Sequence, residues 1–271
     1  VSDAVSDGYW ADPFRAVRIN ELLEGDALLD ADDMARIQAD VVSAFALRYR
    51  PAAVAAYRSA GLESSATLLE RWDGAHGLES RAAPLFHAWF RDLHRRLGRA
   101  EWGGEDGWFP RSLAMQRLDE GRVPPDLAHA AAEHAADVVA GRSWGEVHQL
   151  TLDHPLAAVG ALRVLGGFGR TGIPRRGGPH TVDVAGMAEA GPPWTVRWGA
   201  SQRHVVDLAD PDATGTFVVP GGSSGWPGDP WSMNLLEPWR AGGRVLVPLS
   251  RAKVEARTLA RLEVHPEAAA R

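Results

Sequence analysis

Apolar positions in the first 165 residues recur mostly at helical spacing. Phe14, Val17, Ile19 and Leu22-Leu23 follow Asp12-Pro13 and precede Gly25, which predicts a helix capped by Asp12 with Pro13 in its first turn. Met34, Ile37, Val41, Phe45 and Leu47 predict a second helix over 32–49, ended by Pro51. A third is predicted over 64–71, before Trp72-Asp73-Gly74. The strongest pattern runs over 80–97: Leu85, Phe86, Trp89, Phe90, Leu93 and Leu97 line one side, and Arg91, Arg95 and Arg96 the other. Residues 101–110 read as a loop, 112–119 and 125–140 as helices, and 144–147 as a short helical turn.

After Gly166 the period changes. Short alternating segments at 181–184, 194–198, 204–208, 216–219, 245–249 and 259–264 predict strands, with one or two helical turns at 251–257. The chain therefore reads as α+β, with 12–165 mainly helical and 166–271 mainly strands and Gly/Pro-rich loops. The strands are short enough to require more sheet than this chain supplies.

Composition narrows the function classes. The 271 residues are 45% hydrophobic and 24% charged, a globular balance. Their 35 acidic and 29 basic side chains give a net charge of -6, which argues against a nucleic-acid partner. Without cysteine there is no disulfide, iron–sulfur cluster or thiol nucleophile. No apolar run reaches the length of a membrane span, and the opening Val-Ser-Asp reads as cut from a longer chain. Tryptophan, at 11 against 3 tyrosines, sits mostly in stretches that contain some of the 29 glycines and 18 prolines. Such stretches make shaped loops held by aromatic anchors.

The candidate catalytic motifs fail on local grounds. Gly221-Gly222-Ser223-Ser224-Gly225 matches a nucleophile elbow, with Asp229 and His265 in a permitted triad order. The elbow requires a helix directly after Ser223, and Trp226-Pro227-Gly228-Asp229-Pro230 cannot form one. His129 and His134, with Glu133, stand about 140° apart on a helix and do not converge on a metal. His87 and His94 share a helix face and read as surface or half-buried packing residues; Asp153-His154 lacks a third partner. Arg15 and Arg18 lie one turn apart beside Tyr9-Trp10, and read equally as surface arginines or as groups facing a site.

Four ordered segments carry a family resemblance. They are Tyr9 to Ile19; Leu69 to Gly74 with Ser80 to Phe86; Ser143 to His148 with His154-Pro155-Leu156; and a long stretch from Gly177 to Ser250. The last includes Thr181-Val182-Asp183, Ser201-Gln202-Arg203 and Pro220-Gly221-Gly222-Ser223-Ser224-Gly225. In these the chain resembles the penicillin acylase family of N-terminal-nucleophile amidases.

The resemblance implies the C-terminal part of a β subunit within a four-layer αββα sandwich. It implies hydrolysis of a small N-acyl amide such as a penicillin or an acyl-homoserine lactone. The nucleophile would be an N-terminal serine whose own α-amine is the base. That serine and the oxyanion-stabilising asparagine are expected upstream of Val1, since Ser2 lies in no matching motif. Arg15 aligns with the family arginine that supports the asparagine. The expected partners are the α subunit and the N-terminal part of the β subunit, in an exported, periplasmic or extracellular protein. No cofactor is implied for this chain, although some relatives hold a structural calcium near the positions of Asp3 or Asp7. Asp183 stands where relatives carry asparagine, and several loop motifs differ. These departures motivate the alternative, a catalytically inactive acylase-like scaffold or binding domain.

Overall fold

Helix capping and tertiary capture together explain where the elements begin and end. The computed structural model describes residues 12–25, 28–103, 110–188, 191–263 and 265. The helix α1 (Phe14–Leu23) starts one residue later than predicted: Pro13 occupies the cap position, and Asp12 makes no capping bond among the described residues. Proline's fixed φ already places residue 13 in the right-handed region, so the first turn closes from its carbonyl to Val17 N at 2.9 Å.

The predicted helix over 32–49 is two helices, α2 (Ala31–Gln38) and α3 (Ala44–Ser59). The break is made by partners remote in sequence. Asp40 O accepts from Asp183 N at 2.9 Å, Val41 O from His76 N at 2.9 Å, and Ser43 N donates to Gly74 O at 3.1 Å. Once residues 39–43 are extended, Asp30 closes a capping box on α2 and Ser43 caps α3. Pro51 does not end α3 but lies inside it. Its missing donor is outweighed by burial of Phe45, Ala46 and Tyr49 before it and Ala53, Val54 and Tyr57 after it.

The helical half continues with α4 (Glu63–Glu70), α5 (Ala82–Trp102), α6 (Arg111–Asp119), α7 (Pro125–Val139) and α8 (Trp144–Val147). Helix α5 is the spine of the first core: Phe86, Trp89, Phe90, Leu93 and Leu97 are buried against α3, α4 and α7. Of the predicted loop over 101–110, Glu101 and Trp102 complete α5, and 104–109 lie outside the described residues.

Strands begin earlier than the change of period suggested. A four-stranded sheet has the order β2 (Gly169–Pro174), β1 (His148–Asp153), β4 (Trp194–Gly199), β3 (Ala185–Met187); β1 and β4 are parallel and the other pairs antiparallel. The second sheet is antiparallel: β5 (Arg203–Val205), β6 (Thr216–Val218), β7 (Val245–Leu246). Short helices α9 (Gly160–Leu165), α10 (Pro211–Thr214), α11 (Leu236–Arg240) and α12 (Arg251–Glu255) fill the connections. Leu150, Ala185 and Val196 from the first sheet, Val218 from the second, and Leu236 and Trp239 from α11 form a second core. The fold is thus α+β, with helices in the first half.

Two predicted strands are absent. Residues 181–184 form a turn: Thr181 Oγ1 accepts from Gly178 N at 2.9 Å, and Thr181 N donates to Gly178 O at 3.3 Å. The alternation there buries polar Thr181 and Asp183: Thr181 bonds within the turn, and Asp183 to Asp40 and to arginine side chains, rather than to a ladder. Residues 259–263 are exposed coil without strand pairing, and Val264 lies outside the described residues.

Candidate functional site

The start of α1, the 39–43 and 74–76 segments, and the 175–183 turn meet between the two halves of the fold. Phe14 turns edge-on to Phe45 (5.3 Å) and to the buried His180 (6.1 Å), which stacks on Phe45 at 4.3 Å. Burial, and then the charges of Arg111, His76 and Arg15, push His180 down to about 3. Arg15 itself is exposed and makes no hydrogen bond or ion pair among the described residues. Tyr9 and Trp10, expected behind it, lie outside the described residues. The neighbouring Arg18 is the tethered one. Its guanidinium makes two 3.0 Å bonds to Asp40 and a 3.2 Å bond to Glu21, so it fastens α1 to the break between α2 and α3. The hydrogen bond from Arg18 to Asp40 raises the pKa of the guanidinium.

Below this lies a buried ionic cluster. Arg175 grips Asp183 bidentately at 2.9 and 2.6 Å, Arg203 adds a bond at 3.1 Å, and Arg176 approaches to 3.5 Å. The ring of Trp239 lies 4.4 Å from the Arg175 guanidinium and 5.5 Å from that of Arg203. Burial alone would raise the Asp183 carboxyl; hydrogen bonds and charge from Arg175 and Arg203 outweigh it and hold it below the usual range. The backbone reaches this geometry through Gly177, at φ +75°, where a Cβ would stand 2.0 Å from Asp183 O.

A histidine–tryptophan cluster adjoins the ionic one. Trp144 donates from Nε1 to Gly177 O at 2.8 Å, stacks on His148 at 4.3 Å and tilts against His87 at 5.0 Å. Nε2 of His76 lies 2.7 Å from Nε2 of His87. The Gly74 carbonyl can only accept, so His76 carries its hydrogen on Nδ1 (2.9 Å) and His87 donates to the bare Nε2. His148 likewise donates from Nδ1 to Arg175 O at 2.7 Å. Burial lowers His76 to about 4 and His148 to about 3, and lowers His87 well below its ordinary value. His87 is therefore a fully buried core residue, not the surface or half-buried packing group its helix face suggested. These rings are neutral and sealed from solvent. They can position backbone, but no nucleophile–base pair is among them.

The remaining candidates are structural. In the glycine-rich turn a Cβ on Gly222 would meet Trp231 O at 1.9 Å, Leu235 N bonds to Gly221 O at 2.8 Å, and His265 is 80% exposed at its side chain. His129 pairs with Glu133 at 3.5 Å, while His134 reaches Asp92 at 3.8 Å. Asp153 holds Arg163 at 2.9 Å, and His154 Nδ1 accepts from Leu156 N at 3.1 Å. Among the described residues no group of three or more His, Asp or Glu is arranged for a metal ion, and Asp3 and Asp7 lie outside them. No described helix is long and apolar enough to cross a membrane. Sequence reasoning missed His76 and the joint role of Arg175, Asp183 and Arg203. Asp183 and Arg203 fall in the segments that carry the resemblance; His76 and Arg175 lie just outside them and carried no signal.

Known proteins resemble the chain along most of its length. It is 29% identical over 280 residues to the penicillin acylase 2 proenzyme of Pseudomonas sp. (strain SE83), covering 94% of this chain and 35% of that protein. It is 33% identical over 116 residues to acyl-homoserine lactone acylase QuiP of Pseudomonas syringae pv. tomato, covering 41% of this chain and 13% of that protein. Among solved structures, a thermostable penicillin G acylase from Alcaligenes faecalis superposes with a TM-score of 0.48 at 14% identity, covering 98% of this chain and 56% of the other. The chain thus spans about a third or less of the length of these curated relatives. The penicillin amidase family model matches residues 2–256, and the chain belongs to that family of N-terminal-nucleophile hydrolases, as a β-subunit-like C-terminal portion.

Proposed function

We propose that this chain is part of an amide hydrolase that cleaves a small N-acyl amide, a penicillin or acyl-homoserine lactone being representative. The observation that carries the reading is the family match over residues 2–256. The nucleophilic serine, its α-amine base and the oxyanion donors lie on sequence upstream of Val1. A serine hydroxyl needs such a base, and an amine with an ordinary pKa near 8 is suited to the task. The two sheets join a four-layer αββα sandwich completed by the rest of the precursor, which is this chain's partner.

Within that enzyme Arg15 is a positioning residue. It is the second residue of α1, exposed, and near enough to His180 for its charge to help lower that ring's pKa. A rigid fork of five donors fits the support of an asparagine side chain supplied by the upstream part. The test is the full reading frame, expressed, matured and assayed against N-acyl amides. Hydrolysis lost on replacing the N-terminal serine of the mature β subunit supports the reading; a full-length protein without that serine, or inert towards all such amides, overturns it. Arg15→Ala should lower kcat with little change in KM, by about 2–4 kcal/mol in barrier if the oxyanion donor is misplaced with it. Turnover near normal in that variant removes Arg15 from the site.

A further inference from the structure

Helix α1 rests lightly on the rest of the fold. None of its residues is buried. The half-buried positions Phe14, Arg18 and Leu22 recur every fourth residue and share one face. Phe14 is the apolar end of that stripe, edge-on to Phe45, Tyr49 and His180 at 5.3, 6.0 and 6.1 Å. At the centre, where an amphipathic helix would carry another apolar residue, stands an arginine. The two 3.0 Å bonds from Arg18 to Asp40 are the only polar bonds from α1 to the rest of the fold among the described residues. The Arg18 side chain is 20% exposed and that of Asp40 14%, so the pair is shielded enough to hold one geometry.

Asp40 is in turn a fixed point. Its Oδ1 also accepts from Val42 N at 3.2 Å, and its carbonyl accepts from Asp183 N at 2.9 Å. Two parallel bonds between a planar guanidinium and a planar carboxylate fix angle as well as distance. Phe14 alone would leave α1 free to pivot about its first turn. Phe14 and Arg18 together, one turn apart, also fix its rotation about its own axis. Arg15 lies about 60° round the helix from Arg18, so any rotation of α1 carries its guanidinium sideways. We propose that Arg18 is a positioning residue for the hydrolase and acts through Arg15: its bond to Asp40 sets the rotation of α1 and so aims Arg15 at the asparagine supplied by the upstream part. The inference rests on the hydrolase reading.

The test uses the mature full-length enzyme, with N-acyl nitroanilides of graded acyl length as probes. Arg18→Ala should lower kcat about ten- to a hundredfold, with KM within about twofold of wild type. Tyr57→Phe is the control. It removes a buried hydrogen bond to Leu85 O, about two turns of α3 beyond Tyr49, and should lower Tm without lowering kcat. Added to Arg15→Ala, Arg18→Ala should lower kcat no further, although Tm still drops. Asp40→Asn weakens the same contact from the other side and should shift kcat in the same direction, by less. Amide hydrogen exchange over 14–23 should speed up in Arg18→Ala and stay unchanged in Tyr57→Phe. Unaltered kcat or exchange in Arg18→Ala, losses that multiply in the double variant, an equal kcat loss in Tyr57→Phe, or normal turnover in Arg15→Ala would each overturn the proposal and leave the hydrolase reading intact. A wild-type enzyme inert towards every probe would overturn both.

Discussion

At the scale of single residues, two neighbouring arginines illustrate how far spacing can be read. Arg15 and Arg18 looked interchangeable one turn apart, yet only Arg18 is tied down, by Asp40 and Glu21. Arg18→Ala should therefore cost about 1–2 kcal/mol in denaturant unfolding, while Arg15→Ala should leave stability within about 0.5 kcal/mol. Equal losses in the two variants would contradict this division. Asp183 is the costlier position, because its removal leaves Arg175 and Arg203 buried without their shared carboxylate. Asp183→Ala should destabilise by about 3–5 kcal/mol, measured by equilibrium unfolding. Asparagine keeps one acceptor oxygen for Arg175 and Arg203 but sets its NH2 against an arginine N–H, and should cost less than alanine. No local pattern could reveal this cluster, since its members come from 175–176, 183 and 203 and meet only through the turn at Gly177.

At the scale of elements, the helical repeat was legible wherever an apolar stripe faced one core, as in α5 and α7. It misled at 39–43, where periodicity ran on but Asp183, His76 and Gly74 claimed the backbone. Ser43 then gained a capping role that periodicity alone offered no reason to expect. Ser43→Ala should lose its bond to Ala46 N and about 1 kcal/mol, seen as a lower unfolding midpoint. Pro51 errs in the other direction. It is exposed inside α3, so Pro51→Ala restores a helix donor without disturbing packing and should raise stability by about 1–3 kcal/mol. A lower Tm in that variant would show that the ring itself is needed. Strand β2 escaped notice for a different reason: Gly169-Arg170-Thr171-Gly172-Ile173-Pro174 is an edge strand with little apolar alternation, recognisable only by its pairing with β1.

At the scale of the molecule, α+β class and family were legible, because order and class of elements follow from gross changes of period and from dispersed motifs. The clustering of four histidines was not, since His76, His87, His148 and His180 are scattered in sequence. Together they set the response to acid. Each has a folded pKa below its unfolded value near 6.5: about 4 for His76, about 3 for His148 and His180, and well below 6.5 for His87. Above pH 6.5 both states are neutral and their contribution is fully present. As pH falls, the unfolded chain takes up protons first, so stability drops from about pH 6.5 towards 3, by up to about 1.4 kcal/mol per pH unit for each ring. Denaturant midpoints that stay flat between pH 6.5 and 4.5 would refute this. The contact between His76 and His87 gives that loss a location. Only one hydrogen fits the 2.7 Å between the two Nε2 atoms, and His87 already supplies it. A proton arriving on His76 would set two N–H groups head to head, so the rings must part before they can charge. Acid thus acts on this pair as a wedge, prising the start of α5 from the 74–76 segment and from the break between α2 and α3 stitched to it.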